Sequence, residues 1–344
     1  MVWQAVVERI EQQAPASVMA RLALDQALPS AWIDEVFEAN RQRPYSRELL
    51  FSTMVELMTL VSLGLRPSWH AAARKLDEQL PVSLTALYDK VKGCEPAVLR
   101  ALVQGSAQRL APVIARTPAP ASLPGWQLRM LDGNHLPASE KRLAPLRGFR
   151  GAALPGHTRV VYDPDSTLVC DILACEDAHQ SERVGAAELI ACAEPQQAWI
   201  ADRHFCTEAL LCGLDERQAG FIVREHARHP RLAACGAWSE GVDSDTGRVR
   251  KQAIHLASRD ADTPPWRRIE IALNTPTESG DMQIVLWSNL PDTVPAQTLA
   301  QLYRKRWRIE GMFQRLESVL RSEIKSLGHP RAALLGFATA ILSY

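Results

Sequence analysis

Three acidic residues stand at positions where a carboxylate contributes little to folding. Asp132 ends the predicted strand in "WQLRMLDGNHL", and Asp202 ends the predicted buried strand "QAWIAD". Glu310 lies in a predicted helix, "LYRKRWRIEGMF". Acidic residues that follow the strands of an α/β sheet face the crevice in which such sheets bind ligands. Three carboxylates that converge there would hold Mg²⁺, and two such ions can drive phosphodiester cleavage.

Each of these aspartates also has a purely structural interpretation. Asp132 precedes Gly133, and Asp-Gly is a turn signal in its own right. For either aspartate alone turn capping is the commoner role, so the hypothesis rests on the three acids together. Glu182 is interpreted as a helix-start residue rather than a metal ligand. His135 and His204 lie beside the two aspartates, where they either assist proton movement or are solvated loop histidines.

The segment around Glu310 concentrates positive charge. At about 100° per residue, Tyr303, Arg306 and Glu310 share one helix face. A separate basic flank is predicted from three further side chains, Arg304, Lys305 and Arg308. A solvated basic helix is the commoner explanation of such a pattern. The alternative is that Glu310 completes a metal site while Arg306 and Tyr303 hold DNA phosphates.

The periodicity of apolar residues changes along the chain. Residues 1–115 predict helices, and "RTPAPASLPG" at 116–125 predicts a linker. Residues 126–224 predict three strands followed by alternating helix and strand, which indicates an α/β layer with a mixed sheet. Residues 225–283 predict a β-rich insertion. Within 284–344, "TVPAQTLAQLYRKRWRIEGMFQRLESVLRSEI" predicts one continuous long helix.

Residues 68–93 have the rhythm of two short helices. The second helix is predicted to begin after Ser83 and to stop at Gly93. Either this is an ordinary helical hairpin or it is a DNA-binding helix-turn-helix. In the second case the exposed candidates are Thr85, Tyr88, Lys90 and Lys92.

Composition restricts the possible functions. Basic and acidic side chains balance at 39 each, so any nucleic-acid binding must come from local clusters. The seven cysteines are scattered without CxxC spacing, which favours reduced thiols in the cytoplasm over a zinc site. The N-terminus is not a signal peptide, and no apolar run approaches the ~20 residues of a membrane span. We therefore expect a cytoplasmic protein with no membrane partner.

Four stretches of the sequence are similar to those of a known family. "MLDGNHL", "WIADRHFCT", "GFIVRE" and "SNLPDTVPAQTLAQLYRKRWRIEGMF" resemble the DDE transposases of bacterial insertion sequences, specifically the insertion-sequence-4 type. The family signature is Tyr, two residues, Arg, three residues, Glu, six residues, Lys. Tyr303, Arg306 and Glu310 match it. The resemblance covers most of the chain.

This resemblance implies both a fold and an activity. It implies a ribonuclease-H-like catalytic core, interrupted by the β-rich insertion and preceded by an all-helical N-terminal domain. Asp132, Asp202 and Glu310 would be the catalytic residues and would bind two Mg²⁺ ions, with Mn²⁺ as a substitute. The implied partners are double-stranded DNA, as terminal inverted repeats and target DNA, and a second copy of the chain in a synaptic homodimer. The implied reaction is strand cleavage at transposon ends followed by strand transfer.

Some members of the family pass through a DNA hairpin, with a flipped base stacked on a tryptophan of the insertion. Three tryptophans are candidates for that role, Trp238, Trp266 and Trp287. Buried tryptophan is usually part of a core, and Trp287 within "IVLWSNL" fits a core position best.

Two features depart from the family pattern. Glu317 stands where the signature has lysine, and a carboxylate there repels DNA phosphate. On a continuous helix Arg321 lies on the same face about one turn further on, and we hypothesise that it replaces the lysine. The apolar pattern "LLGFATAILSY" carries no stop signal, so we expect either a longer natural protein or a truncated copy.

Two other functions stay open at this point. One is a catalytically impaired or truncated transposase relic that only binds DNA, which the charge at Glu317 favours. The other is a different ribonuclease-H-like nuclease, such as a Holliday-junction resolvase. The helical N-terminal region and the Tyr-Arg-Glu helix argue against the second.

Overall fold

The structure, a computed structural model, describes residues 28–43, 49–75, 83–116, 120–136, 157–176, 185–228, 230–260, 262–277, 280–324, 327 and 329–344. These residues form a mixed α/β protein in which helices cover both faces of one large sheet. This agrees with the α/β class expected from the sequence.

The N-terminal part is helical where it is described. Its helices are α1 (Ser30–Asn40), α2 (Phe51–Ser62), α3 (Trp69–Lys75), α4 (Leu84–Lys92) and α5 (Pro96–Ile114). Helix α4 begins and ends as predicted, because the Ser83 hydroxyl accepts a hydrogen bond from the Ala86 amide at 3.3 Å and Gly93 follows the last turn. The proposed turn at residues 80–82 lies outside the described residues, so a DNA-binding role for this hairpin stays a prediction.

The described sheet contains ten strands. They are β1 (Gln127–His135), β2 (His157–Asp163), β3 (Leu168–Ala174), β4 (Gln197–Ala201), β5 (Gly220–Arg224), β6 (Leu232–Cys235), β7 (Val242–Ser244), β8 (Gly247–Leu256), β9 (Trp266–Leu273) and β10 (Gln283–Ser288). Their order is β3-β2-β1-β4-β5-β10-β9-β8-β6, with β7 beside β8. Strands β1, β4 and β5 are parallel, whereas the other pairs are antiparallel.

Helices separate the three parallel strands along the chain, as parallel connections require. Helix α6 (Ala186–Ala191) lies between β3 and β4, and helix α7 (Glu208–Glu216) lies between β4 and β5. The Thr207 hydroxyl accepts a hydrogen bond from the Leu210 amide at 3.4 Å and so caps α7.

Side chains alternate across the strands, so each face of the sheet has its own core. One core joins the N-terminal helices and the C-terminal helices to a set of strand residues that includes Leu128, Met130, Ile200 and Ile222. The opposite core joins α6 and α7 to a set that includes Leu131, Trp199, Phe221 and Val223. The charged residues of the candidate site can therefore be assigned to one face of the sheet by their position along a strand.

The N-terminal helices are not loosely attached to the sheet. Helix α5 packs along β3, and the guanidinium of Arg100 donates to both carboxylate oxygens of buried Asp171 at 2.9 and 2.7 Å. Such bidentate pairing gives geometric specificity as well as attraction. This shared core contains residues from both sides of the predicted linker at 116–125. The predicted division of the chain at residues 1–115 stays a prediction.

The segment 225–283 has the predicted β-rich content, because it contains β6 to β9. Its strands continue the main sheet rather than forming a separate one. Strand β10 pairs with β9 on one edge and with β5 on the other. The insertion and the parallel strands therefore share one hydrogen-bonded sheet.

The prediction of one continuous helix before and after Glu310 is wrong. The structure has α8 (Ala296–Arg304), a turn at Lys305 and Arg306, and α9 (Trp307–Ser318). The turn has a hydrogen bond of the 3₁₀ type, between residues three apart, in which the Arg306 amide donates to the Tyr303 carbonyl at 3.0 Å. A last helix, α10 (Pro330–Ser343), is almost wholly buried against α2, α4 and α5.

Candidate active site

The register of the parallel strands brings three charged residues into one row. Leu131 of β1 pairs with Ala201 of β4, and Ala201 pairs with Val223 of β5. The residues that come next in the three strands or just after them are Asp132, Asp202 and Arg224. Because side chains alternate, this row lies on the face opposite to Leu131, which is the face that α8 and α9 cover.

Glu310 reaches this row from helix α9. The guanidinium of Arg306 donates through Nη1 to Oδ2 of Asp132 and through Nη2 to Oε1 of Glu310, both at 2.8 Å. A single side chain thus holds two carboxylates that are far apart along the sequence. The helical spacing of Arg306 and Glu310 predicted that they share a face, and the ion pair between them agrees with this.

Asp202 lies close to the same group. Its Oδ1 accepts a hydrogen bond from the His204 amide at 2.7 Å, which caps the short helical turn Arg203–Phe205. Asp202 therefore caps this turn, and its role in the candidate site stays a prediction. Strand register puts Asp202 on the same face as Asp132, and its negative charge is among the causes that raise the pKa of the Asp132 carboxyl.

The Asp132 carboxyl has a pKa raised to about 6. Burial is the largest cause, and the charges of Asp202 and Glu310 act in the same direction. The Arg306 guanidinium and the Gly133 amide, which donates to Asp132 Oδ1 at 2.9 Å, oppose the shift. Because the negative charges of Asp202 and Glu310 destabilise the ionised form of Asp132, a cation bound among the three carboxylates would stabilise it.

This shift predicts a pH effect on stability. Asp132 binds its proton more tightly in the folded chain than in the unfolded chain, where the ordinary value is 3.8. The folded state is therefore favoured at low pH and loses that advantage as pH rises from about 4 to about 6. We expect the free energy of unfolding of the wild type, relative to Asp132→Asn, to fall across this range in chelator-treated protein. Urea unfolding at several pH values measures it, and identical slopes for both proteins would contradict it.

Tyr303 is buried beneath the site. Burial raises the pKa of its phenol, and the positive charges of Arg306 and Arg224 oppose that shift. Arg224 itself donates to Oδ2 of Asp281 at 2.7 Å. The Tyr303 hydroxyl thus lies in the field of both guanidiniums, at the base of the site rather than on its surface.

The predicted basic flank is exposed, as the sequence suggested. Arg304, Lys305 and Arg308 lie at the solvent side of the junction between α8 and α9. Between them Trp307 is 52% exposed, and the Cζ atom of Arg306 lies 5.6 Å from the centroid of its ring. A large aromatic ring therefore faces solvent beside the carboxylates.

Two of these residues, Arg224 and Trp307, were missed by the sequence reasoning. A signal for Arg224 was available, because it ends the buried run "GFIVR" just as Asp202 follows "QAWIA". Trp307 gave no such signal, since an apolar residue in a helical pattern is usually buried.

The helical argument for Arg321 does not hold. Helix α9 ends at Ser318, and Arg321 follows it with a left-handed φ of 44°. Its guanidinium lies against Gly64, where a Cβ atom would come within 2.9 Å of Arg321 Cζ. A role for Arg321 in DNA binding stays a prediction without that support. Glu317 is exposed on α9.

The remaining polar candidates are less informative. His204 is exposed, and its Nδ1 lies 3.6 Å from Oδ2 of Asp202. The side chain of His135 and the whole of Glu182 lie outside the described residues. The seven cysteines, all within the described residues, form no disulfide bond.

None of the three candidate tryptophans faces Asp132. Trp287 pairs with Val223 and therefore belongs to the opposite core, as does Trp266. Trp238 lies under the guanidiniums of Arg250 and Arg268, at 4.5 and 5.5 Å from its ring centroid. Strand register puts Arg268 on the same face as Trp287. Strands β8 and β9 are also four or five strands from β1, about 20–24 Å away.

The donor set of the site suits a hard divalent cation, because carboxylate oxygens are the ligands that Mg²⁺ prefers. Within the part of the chain that the structure describes, however, no three His, Cys, Asp or Glu side chains are grouped closely enough to hold a metal ion as they stand. Arg306 bridges Asp132 and Glu310, so one oxygen of each carboxylate is engaged by the guanidinium.

Fold and site together define an α/β protein with clustered acids and an exposed basic junction on one face of its sheet. A comparison with known families matches residues 145–344 to the transposase DDE domain, which is more than half of the chain. The chain therefore belongs to that family, and the resemblance seen in the sequence is confirmed at this level. The match includes Asp202 and Glu310 and begins after Asp132.

No curated protein matches the chain. In the described residues no helix is long and apolar enough to cross a membrane.

Proposed function

We propose that this chain is a DNA transposase of the insertion-sequence-4 type, which cleaves DNA at transposon ends and transfers the freed strands to target DNA. The observation that carries the proposal is that Arg306 donates hydrogen bonds to both Asp132 and Glu310 at 2.8 Å. The negative charge of Asp202 also acts on the Asp132 carboxyl and helps to raise its pKa. The order β3-β2-β1-β4-β5, with β2 antiparallel to β1, supports a ribonuclease-H-like core.

Asp132, Asp202 and Glu310 would hold two Mg²⁺ ions, for which Mn²⁺ is a substitute. When bound, such ions activate the attacking oxygen and stabilise the leaving oxygen in phosphodiester chemistry. The chain would bring these three carboxylates together from strand β1, from the residue that follows β4 and from helix α9. The partial burial of Asp132 would strengthen the attraction of this carboxylate for a cation.

The surface around the acids supports double-stranded DNA as the partner. Arg304, Lys305 and Arg308 are exposed beside the site and would neutralise backbone phosphates. Trp307 offers a ring on which an unpaired base could stack. The DNA would comprise the terminal inverted repeats and the target, bound in a synaptic homodimer in the bacterial cytoplasm.

The proposal is tested with a labelled duplex that carries the inverted repeats flanking the gene. Incubation with the protein and Mg²⁺ is expected to give breaks at the repeat ends with free 3′ hydroxyls, and joined products when target DNA is added. A protein that binds the repeats but leaves them intact in both Mg²⁺ and Mn²⁺ would instead be the non-catalytic relic. Glu317 is the feature that favours this second candidate, because it stands where the family signature has a phosphate-binding lysine.

The basic flank gives a prediction about DNA affinity. Replacing Arg304, Lys305 and Arg308 together by alanine is expected to weaken duplex binding about a hundredfold at low salt. The slope of log affinity against log salt concentration should shrink by about 0.9 for each phosphate that the variant no longer neutralises. Fluorescence anisotropy at several salt concentrations measures both.

The matched control for this prediction is Arg217→Ala. Arg217 is exposed at the end of α7, which packs on the other face of the sheet. Its loss removes one positive charge from the chain without touching the flank, so binding should change less than about twofold. A loss of about fivefold, which is one third of the effect of the triple variant on a logarithmic scale, would show that DNA responds to net charge rather than to this surface.

A further inference from the structure

Arg306 is positioned as an internal cation of the acidic site. Its side chain is 13% exposed, and it donates one charge-assisted hydrogen bond to Asp132 and one to Glu310. Bonds of this kind are roughly twice as strong as those between neutral groups. One oxygen of each carboxylate, Oδ2 of Asp132 and Oε1 of Glu310, is thus already occupied by the guanidinium.

A metal ion must therefore compete with this side chain. Both the guanidinium and a divalent cation are attracted to the same negative charges, and the bridge spans two of the three acids. While it is closed, a metal gains little from Asp202 alone. Opening the bridge without a new partner would leave the guanidinium without acceptors for both Nη groups, which is costly for a charged group.

DNA supplies such a partner. Each Nη atom of Arg306 donates one hydrogen bond to a carboxylate, and the side chain keeps 13% of its surface exposed, so the guanidinium has N–H groups left for an oxyanion. Arg306 stands in the turn between two helices, next to exposed Lys305 and Trp307. Guanidinium groups bind phosphate with the same fork geometry that they use for carboxylates.

We propose that Arg306 makes metal binding depend on DNA: it bridges the two carboxylates in the free protein, and a backbone phosphate draws it away and releases them. The inference rests on the proposed function and adds its regulation. It follows that DNA raises the affinity for metal and that metal raises the affinity for DNA by the same factor, because coupling between two binding sites is reciprocal. Free enzyme would then hold little metal.

The test measures Ca²⁺ binding by calorimetry, with no cleavage required. In wild-type protein a short duplex is expected to raise the Ca²⁺ affinity about tenfold, within the usual range of coupling between sites. Arg306→Gln, which removes the internal cation, should bind Ca²⁺ about tenfold more tightly than the wild type without DNA and gain little when DNA is added. Arg306→Lys should resemble the wild type more than the glutamine variant.

Arg315→Gln is the control for a general loss of positive charge. Arg315 is exposed on the same helix and bonds Tyr344 rather than the acids, so its loss should leave the dependence of Ca²⁺ affinity on DNA unchanged. Melting temperatures give an independent readout, since Ca²⁺ should raise that of Arg306→Gln more than that of the wild type. Arg306→Gln protein that binds Ca²⁺ no more tightly than the wild type, or that keeps the full dependence on DNA, would overturn the proposal.

The same experiment separates this inference from the proposed function. Coupled Ca²⁺ and DNA binding in a chain that fails to cleave transposon ends would retain the role of Arg306 and refute the transposase reaction. Cleavage of transposon ends by a chain whose Ca²⁺ affinity does not depend on DNA would support the transposase reaction and refute the role of Arg306.

Discussion

Replacing Glu310 by glutamine is expected to reduce cleavage at transposon ends about a thousandfold, which corresponds to about 4 kcal/mol of transition-state stabilisation. The glutamine oxygen can still accept the hydrogen bond from Arg306, so the local packing is preserved. The substitution removes one negative charge from the acidic group, and with it the attraction for a divalent cation. Single-turnover cleavage of a labelled end duplex in saturating Mg²⁺ measures the effect.

Glu317→Gln is the matched control, because it makes the same chemical change on the same helix. Glu317 is exposed and stands about two turns from Glu310. Cleavage should stay within about threefold of the wild type, and DNA binding should tighten slightly when the repelling charge is removed. Wild-type cleavage by Glu310→Gln would remove Glu310 from the proposed site.

The second large effect concerns stability. Trp287→Ala is expected to lower the free energy of unfolding by about 3–5 kcal/mol, the usual cost of removing a large ring from a core. Trp287 is 1% exposed, and its indole nitrogen donates to Glu225 at 3.2 Å. The change removes the ring from the core on the face opposite to Asp132. Urea unfolding followed by circular dichroism measures the loss.

Trp238→Ala separates this core position from the surface of the insertion. Trp238 is half-buried and lies under two guanidiniums, so its removal should cost about 1–2 kcal/mol because both cation–π interactions disappear. Neither variant should change the affinity for a short duplex, because neither ring faces the acids. A loss of DNA affinity confined to Trp238→Ala would mean that the insertion reaches DNA by another route.

Part of the candidate site could be predicted, because Asp202 and Glu310 follow simple positional rules. The prediction that the first strand ends at Asp132 is wrong, since β1 continues to His135. A buried strand that ends in a charge, as at Asp202, stands out locally, and the spacing of Arg306 and Glu310 follows from helix geometry. The strand pattern of residues 126–224 similarly predicted a mixed sheet, and the structure agrees. These signals all lie within a few residues of the position that they identify.

The parts that could not be predicted depend on distant contacts. No glycine or proline lies near Lys305 and Arg306, and both are good helix formers, so the pattern gave no sign of the turn there. That turn accompanies the contact between Arg306 and Asp132, which are 174 residues apart. The helical-wheel position of Arg321 failed for a related reason, because the helix ends before it. Strand pairing between β5 and β10, likewise, could not be read from either strand alone.

The pairing of β10 with strands on both of its edges has a consequence for protein engineering. Removing residues 225–283 to obtain a smaller protein would strip β9 from one edge of β10 and leave the apolar run "IVLWS" open to solvent. Open, apolar strand edges act as templates for pairing between molecules and so promote aggregation. A soluble miniature of this chain would need a charged or proline-containing replacement edge rather than a simple deletion.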